Sequence, residues 1–461
     1  MHLNENNLHI IVGAGLTGLS CGYYLTQNHE KCLFLEKEST VGGQARSYIL
    51  QNCIFDLGPH VLFCNNNSRG VDLVKKLFSA EEYIVTDWTI KFFLYGKYYS
   101  LPLTITDFLN FPIPTAISFL KAILRRKEKH ADFQSDMTSI MGEKMYRDYF
   151  DPFIEKKLMM SGDKLHTDWW RRLKRNYKND ILEHNLDIET VDQSSLSTPK
   201  KLMLAIRNIP KIIFRPKDKL LYPKNGIQMI PQRLLEFYSQ YGGETLLNTE
   251  VVGLKKSNSS ITAVIFKDKN GQEKEMPLKN LIWTGSVYQL CKLLHIDAEL
   301  KYISCALVIV VIKRKLPKKI KSLYTYYIQK DIIFNRIYYP SYIYEKLVPE
   351  GWDALCVEIT LKEELKSQGK NKIIEKVRAD LGKLGLVKSE DVEVMEYIEL
   401  ADAYPVYPVD YRERIKKIFD QLRQYKNLYP VGRMGSFYFS MMPDVIELGE
   451  ETARHILSVT K

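Results

Sequence analysis

The sequence predicts an α/β fold: a doubly wound, three-layer parallel sheet of the Rossmann type, joined to a discontinuous α+β lobe. Three observations carry this. A short apolar run leads straight into a glycine-rich turn and a helix. A second strand-like run follows and ends in an acid. The chain has 461 residues, more than one ordinary core of about 100–200 residues organises. With 45% hydrophobic and 26% charged residues it is globular and not disordered.

The first element is Leu8-His9-Ile10-Ile11-Val12, whose continuous apolar character fits a buried parallel strand. Gly13-Ala14-Gly15-Leu16-Thr17-Gly18 follows, then helical character from Leu19 to Thr26. Gly13 permits the strand-to-helix turn, Gly15 lets backbone approach a pyrophosphate, and Gly18 lets the helix pack close to the strand. The helix N-terminus offers free N–H groups to phosphate oxygens. The second strand, Lys31 to Glu36, places Glu36 at its tip, where it can accept from a ribose.

The next segment separates two cofactor classes. Gly42-Gly43 allows another close backbone approach, and Arg46 offers a cation to a diphosphate. A plain nicotinamide site does not need this second contact, and no second Gly-x-Gly-x-x-Gly follows a strand elsewhere. One dinucleotide site, suited to FAD, is the expectation.

The formal charge of +11 favours an anionic small-molecule partner. Seven cysteines, none in Cys-x-x-Cys spacing, argue against a disulfide framework and a metal site. Residues Met1 to Leu8 are polar, and the longest apolar run, Cys305 to Ile312, is far short of the ~20 residues a membrane span needs. A cytoplasmic location follows as an expectation. The basic, apolar-interleaved stretch Thr198 to Lys224 adds peripheral membrane contact as one reading, beside a solvated helix face or an anionic-substrate funnel. No nucleic-acid recognition module is visible.

At this point the chain resembles the superfamily of amine oxidases, protoporphyrinogen oxidase, phytoene desaturases and UDP-galactopyranose mutases. Gly42-Gly43-x-x-Arg46-Ser47 is similar to its FAD-binding opening. Tyr222 to Ile227 resembles the return to the FAD lobe, and Leu246 to Leu254, with Val251, the strand whose backbone meets adenine. Asn280 to Gly285 resembles the strand that follows. Val431-Gly432-Arg433 to Ser436, then Met442-Pro443-Asp444 to Gly449, resembles the closing flavin motif. There Asp444 is expected to cap a helix from about Val445 to Leu457. No cysteine lies in that block, so non-covalent FAD is expected.

Within the superfamily, Phe55-Asp56-Leu57-Gly58-Pro59-His60-Val61-Leu62-Phe63 resembles the mutase loop that lies against the flavin. Phe334-Asn335-Arg336 through Tyr342 resembles the segment that holds a sugar diphosphate, and Tyr404 to Pro408 another substrate-contacting segment. The resemblance implies catalytic roles for His60 and Arg336, and chemistry on a nucleotide-linked sugar with reduced FAD, NAD(P)H being an external reductant to consider. The loop continues into Cys64-Asn65-Asn66-Asn67, a departure that leaves the substrate open. The alternatives are an oxidase or desaturase taking hydride from a C–N or C–C bond, and a flavin-holding structural protein.

Residues 1–88, 226–297 and 395–461 are expected to form the FAD-binding lobe. Residues 89–225 supply a mostly helical part of the substrate lobe, and 298–394 a β-rich part. Met141 to Lys157 and Trp169-Trp170 are expected to be mainly helical core.

Overall fold

A computed structural model describes residues 7–64, 68–101, 103–124, 130–171 and 219–459. The basic stretch from Thr198 therefore lies outside the described residues up to position 218.

Five parallel strands form one sheet in the order Glu244–Leu246, Lys31–Leu35, Leu8–Val12, Asn280–Trp283, Leu428–Pro430. Both faces of the central strands are covered, which is why Ile10, Ile11, Leu33, Phe34, Leu281 and Ile282 are apolar and buried, whereas the edge strand Glu244–Leu246 is largely exposed. One face packs on helices Leu16–Gln27, Met229–Gln240 and Met442–Val459. The other packs on helix Val287–Leu294 and a three-stranded antiparallel meander, Glu250–Ser257, Ser260–Lys267 and Glu273–Pro277.

The single strand expected over Leu246 to Leu254 is two strands in two sheets. Leu246 ends the parallel strand, Asn248 takes a φ of 51°, and the meander starts at Glu250. The turn is fixed by the tip of the second strand: Glu36 N–H donates to Leu246 O, and Thr249 N–H donates to Glu36 O.

A seven-stranded sheet follows the order Val392–Pro405, Tyr302–Ile312, Asp353–Thr360, Arg336–Tyr338, Tyr324–Tyr327, Ile90–Leu94, Lys97–Leu101. Leu307, Ile309, Val311 and Cys356 face the first core, whereas Val308, Val310, Leu355 and Val357 face helix Lys370–Lys383. The strand Val392–Pro405 runs through the expected boundary at 395 and pairs with Tyr302–Ile312, so the chain leaves this sheet only after Pro405. Segment 89–225 likewise opens with two strands of this sheet before its helices begin at Ile105.

Much of the tyrosine content is core: Tyr222, Tyr238, Tyr338, Tyr339, Tyr407 and Tyr411 are fully buried. Phe153 and Trp169 are buried as expected, while Trp170 is 41% exposed and donates to Asp136. The closing helix starts at Met442, before the position expected. Asp444 therefore sits inside its first turn and reaches back to accept from Met441 N–H at 2.9 Å. Among the described residues no helix is long and apolar enough to cross a membrane, and no His/Cys/Asp/Glu group could hold a metal. All seven cysteines are free.

Candidate active site

The first half of the site is backbone. Gly13 N–H extends the parallel ladder to Leu35 O at 2.9 Å, and its φ of 93° suits glycine. A Cβ on Gly13 would fall 2.5 Å from Thr284 Oγ1, and one on Gly18 would fall 2.2 Å from Gly13 O. Gly15 differs: nothing lies within 4 Å of its Cβ position. It is the N-cap of helix Leu16–Gln27 and supplies no side-chain cap to the first-turn N–H groups.

Gly42 and Gly43 close over this turn. Gly42 N–H donates to Ala14 O at 2.8 Å, and a Cβ on Gly43 would lie 3.4 Å from Gly15 Cα. Glu36 is buried and accepts from Ala14 N–H at 2.7 Å and Glu38 N–H at 3.0 Å. Arg46 Nε donates to Gly43 O at 2.7 Å. Gly432, with a φ of 85°, comes against Thr17, where a Cβ would lie 2.7 Å from Oγ1. Val251, half-buried, pairs with Phe266 in the meander beside the Glu36 tip.

The second half is a cluster of buried charge. Arg336 and Glu358 are register partners on adjacent strands. Arg336 Nη2 donates to Glu358 Oε2 and, at 3.1 Å, to Tyr404 Oη. Lys157, from helix Asp151–Leu158, donates to the other Glu358 oxygen at 2.9 Å and lies 4.5 Å from the Tyr404 ring centre. Arg433 stacks 5.3 Å from the Tyr404 ring and 4.4 Å from Phe439. The Tyr324 ring lies 5.0 Å from the Arg336 guanidinium. Gly58 brings the His60 loop to this cluster: a Cβ there would lie 3.9 Å from Arg336 Nη2 and 3.7 Å from His60 Cε1. Arg336 Nε is buried with no hydrogen-bond partner.

The electrostatics follow from the packing. Burial would raise the Glu358 carboxyl, but the Arg336 and Lys157 charges outweigh it and hold the group at about 2. Burial would lower Lys157, and Glu358 reverses this. His60 is pushed down to about 4 by burial and by the Arg433 and Arg336 guanidiniums, so its ring is neutral at pH 7. Two cations, Arg336 and Lys157, thus flank the Glu358 carboxylate, with Arg433 on the Tyr404 ring beside them, and this group carries more positive than negative charge, which suits an anion.

The family model of flavin containing amine oxidoreductases matches residues 16–457. The chain belongs to this family. As a member it is an FAD-dependent enzyme. Solved structures show the same fold. Reduced UDP-galactopyranose mutase aligns with TM-score 0.75 and 18% identity, covering 99% of this chain and 94% of that one. A putative protoporphyrinogen oxidase from Exiguobacterium sp. 255-15 gives 0.69 and 16%, covering 98% of each chain. Putrescine oxidase bound to putrescine gives 0.62 and 13%, covering 98% of this chain and 99% of that one. No curated protein matches the sequence.

The residues present fit an FAD pyrophosphate in this flavoenzyme. Gly15 leaves a cradle that a side chain would fill, and the helix behind it has an uncapped N-terminus. The structure brings Gly13, Gly15, Gly18, Glu36, Gly42, Gly43 and Arg46 to one end of the parallel sheet, and His60, Arg336 and Arg433 to one buried cluster. Asp444 accepts from Met441 N–H at the start of its own helix. Sequence reasoning missed Lys157 and Glu358. The signal for Glu358 was a charge inside the otherwise apolar run Ala354–Ile359; for Lys157 it was a cation three residues after buried Ile154 on a packed helix face.

Proposed function

We propose that this flavoenzyme is mutase-like and acts on a nucleotide-linked sugar with reduced, non-covalently held FAD. The observation that carries the reading is the buried group of Arg336 and Lys157 on the Glu358 carboxylate, with Arg433 on the Tyr404 ring and the Gly58–His60 loop beside them. A diphosphate gains from a buried cationic site, whereas a protonated amine of the putrescine kind is repelled by it. FAD, when bound, supplies the redox-active ring.

The residues of the chain do the rest. The Gly13–Gly18 turn and Gly42-Gly43 receive the cofactor pyrophosphate, with Arg46 beside them; Glu36 holds the turn through Ala14 N–H and offers remaining acceptor capacity to a ribose. The backbone near Val251 would meet the adenine end of the cofactor, and Gly432 would close the site. The part of the Arg336 guanidinium that stays accessible binds the substrate diphosphate, and Glu358 and Lys157 fix its plane. Neutral His60 borders the ring without adding charge. Segments 1–88, 226–297 and the chain after Pro405 form the cofactor side in this reading.

The test is an anaerobic assay with dithionite-reduced protein and a panel of sugar nucleotides, with NAD(P)H replacing dithionite in a second arm. Pyranose–furanose interconversion by the reduced protein alone is expected. The family match favours a second reading, an oxidoreductase taking hydride from a C–N or C–C bond. Stoichiometric bleaching of oxidised flavin by a non-sugar compound, without sugar isomerisation, would establish that reading instead.

A further inference from the structure

Between the cofactor cradle and the Arg336 cluster lies a buried carboxylate that touches both. Asp56 ends strand Cys53–Asp56, is fully buried, and leads directly into the Gly58–His60 loop. Four donors converge on it. Oδ1 accepts from Ser47 Oγ at 2.8 Å and from Ile227 N–H at 3.1 Å. Oδ2 accepts from Tyr222 Oη at 2.7 Å and, more weakly, from Tyr338 Oη at 3.5 Å. Ser47 Oγ itself accepts from Gln228 N–H at 3.1 Å, which leaves its own proton for Asp56. An ionised carboxylate accepts all four bonds at once, whereas a protonated one must donate from one oxygen.

The contacts run to both halves of the site. On the cradle side, Gln228 Nε2 donates to Val41 O at 3.1 Å, next to Gly42-Gly43. Leu57 N–H donates to Arg46 O at 3.0 Å, and Arg46 Nε donates to Gly43 O. A Cβ on Gly226, whose φ is 94°, would fall 2.5 Å from Ser47 Oγ, so this junction admits no side chain. On the cluster side, Tyr338 and Cys356 are register partners two residues along the ladder from the Arg336–Glu358 pair. Residues two apart on a strand share a face, so Tyr338 stands beside Arg336 and Cys356 beside Glu358. Cys356 Sγ lies 4.0 Å from Asp56 O.

We propose that Asp56 is a positioning residue: as a carboxylate it fixes the Gly42–Arg46 segment of the cradle against the strand that carries Arg336. Protonation turns an acceptor into a donor and releases that hold. The inference rests on the cradle receiving the cofactor pyrophosphate and not on the identity of the substrate. Burial raises the Asp56 carboxyl to about 6 against the pull of its four donors, so it is ionised at pH 7 and protonates in mild acid. The groups facing it do not titrate there. Burial holds the Tyr222 and Tyr338 hydroxyls well up, the Cys53 thiol at about 11 and the Cys356 thiol at about 12. Tyr48 on the paired strand bonds Glu396. The short helices packed on Cys53–Asp56, Pro340–Ile343 and Glu345–Leu347, turn Glu345 and Lys346 to solvent. His60 stays neutral down to about 4, and Glu358 stays charged down to about 2.

The experiment dilutes flavin-loaded full-length protein at pH values between 5 and 8 and reads released FAD by fluorescence. Parent affinity for FAD should fall roughly tenfold from pH 7.5 to pH 5, with a midpoint near 6. Asp56→Asn keeps the volume and removes a buried charge. It should bind FAD roughly tenfold more weakly at pH 7.5 and lack the pH step. Tyr222→Phe and Ser47→Ala each delete a donor to the carboxylate and should move the midpoint upward, a shift that a purely structural Asp56 would not give. These two variants decide the matter if Asp56→Asn does not fold. Gly15→Ala, measured alongside, reads the cradle itself. Weakened FAD binding in Gly15→Ala, with parent affinity or an unchanged pH step in Asp56→Asn, would overturn the inference and leave the cradle reading standing. A midpoint unmoved by both donor deletions would also overturn it. Parent affinity in Gly15→Ala and Asp56→Asn alike would overturn both.

Discussion

The cofactor cradle and the Arg336 cluster are built from different materials. The cradle is backbone: its contacts are N–H groups and the absence of Cβ atoms at Gly13, Gly15, Gly18 and Gly43. The cluster is side chains: Lys157, Arg336, Glu358 and Tyr404 arrive from a helix and three strands and hold one another by charge. A backbone site fails by crowding and is nearly indifferent to pH. A buried charge site fails by imbalance and responds to pH directly.

The largest expected effect is on the charge side. Glu358→Ala leaves Arg336 and Lys157 buried without a counter-ion, and should cost about 3–5 kcal/mol of folding stability. Denaturant unfolding checks this; a loss no larger than that of an exposed pair would show that the cluster is solvated. Acid should expose the same dependence. His60 is held at about 4 against an ordinary 6.5 and keeps its neutral ring on folding, so stability should decline as pH falls from 6.5 towards 4. Glu358, held at about 2 against 4.5, contributes stability that is complete above 4.5 and lost as pH falls towards 2. Unfolding curves across pH should show both steps, and His60→Gln should shrink the upper one, to which buried His9 also contributes, and leave the lower one in place.

On the cradle side two glycines should separate. Gly18→Ala places a Cβ 2.2 Å from Gly13 O and should destabilise the fold by about 1–3 kcal/mol. Gly15→Ala meets no protein atom within 4 Å, so stability should stay within about 0.5 kcal/mol while flavin affinity falls. Melting temperature and flavin titration on the two variants read the difference. Equal loss of stability in both would mean that Gly15 is structural and does not face the pyrophosphate.

The same contrast explains what was legible in the sequence. The cradle lies within residues 8–46 and follows local rules of spacing, so Gly13 to Glu36 and Gly42 to Arg46 were readable in order. The cluster depends on which strands become neighbours. The Arg336↔Glu358 register and the arrival of Lys157 are products of tertiary pairing that no local pattern encodes. Asp444 illustrates the smaller error: an Asp before an apolar helical run reads as an N-cap, yet the helix starts at Met442 and the carboxylate serves from within the first turn. Val392–Pro405 illustrates the larger one, because polar residues on a partly exposed strand hide its long pairing with Tyr302–Ile312.

The central claim is that the buried cationic cluster receives an anionic diphosphate beside the flavin. Titration of UDP into the reduced, flavin-loaded protein, followed by the flavin absorbance, tests it most directly. UDP should perturb the flavin spectrum with saturation, putrescine should not, and Arg336→Leu should weaken UDP binding by roughly a hundredfold at unchanged flavin content. Saturable perturbation by putrescine with none by UDP, or UDP binding indifferent to Arg336→Leu, would contradict it.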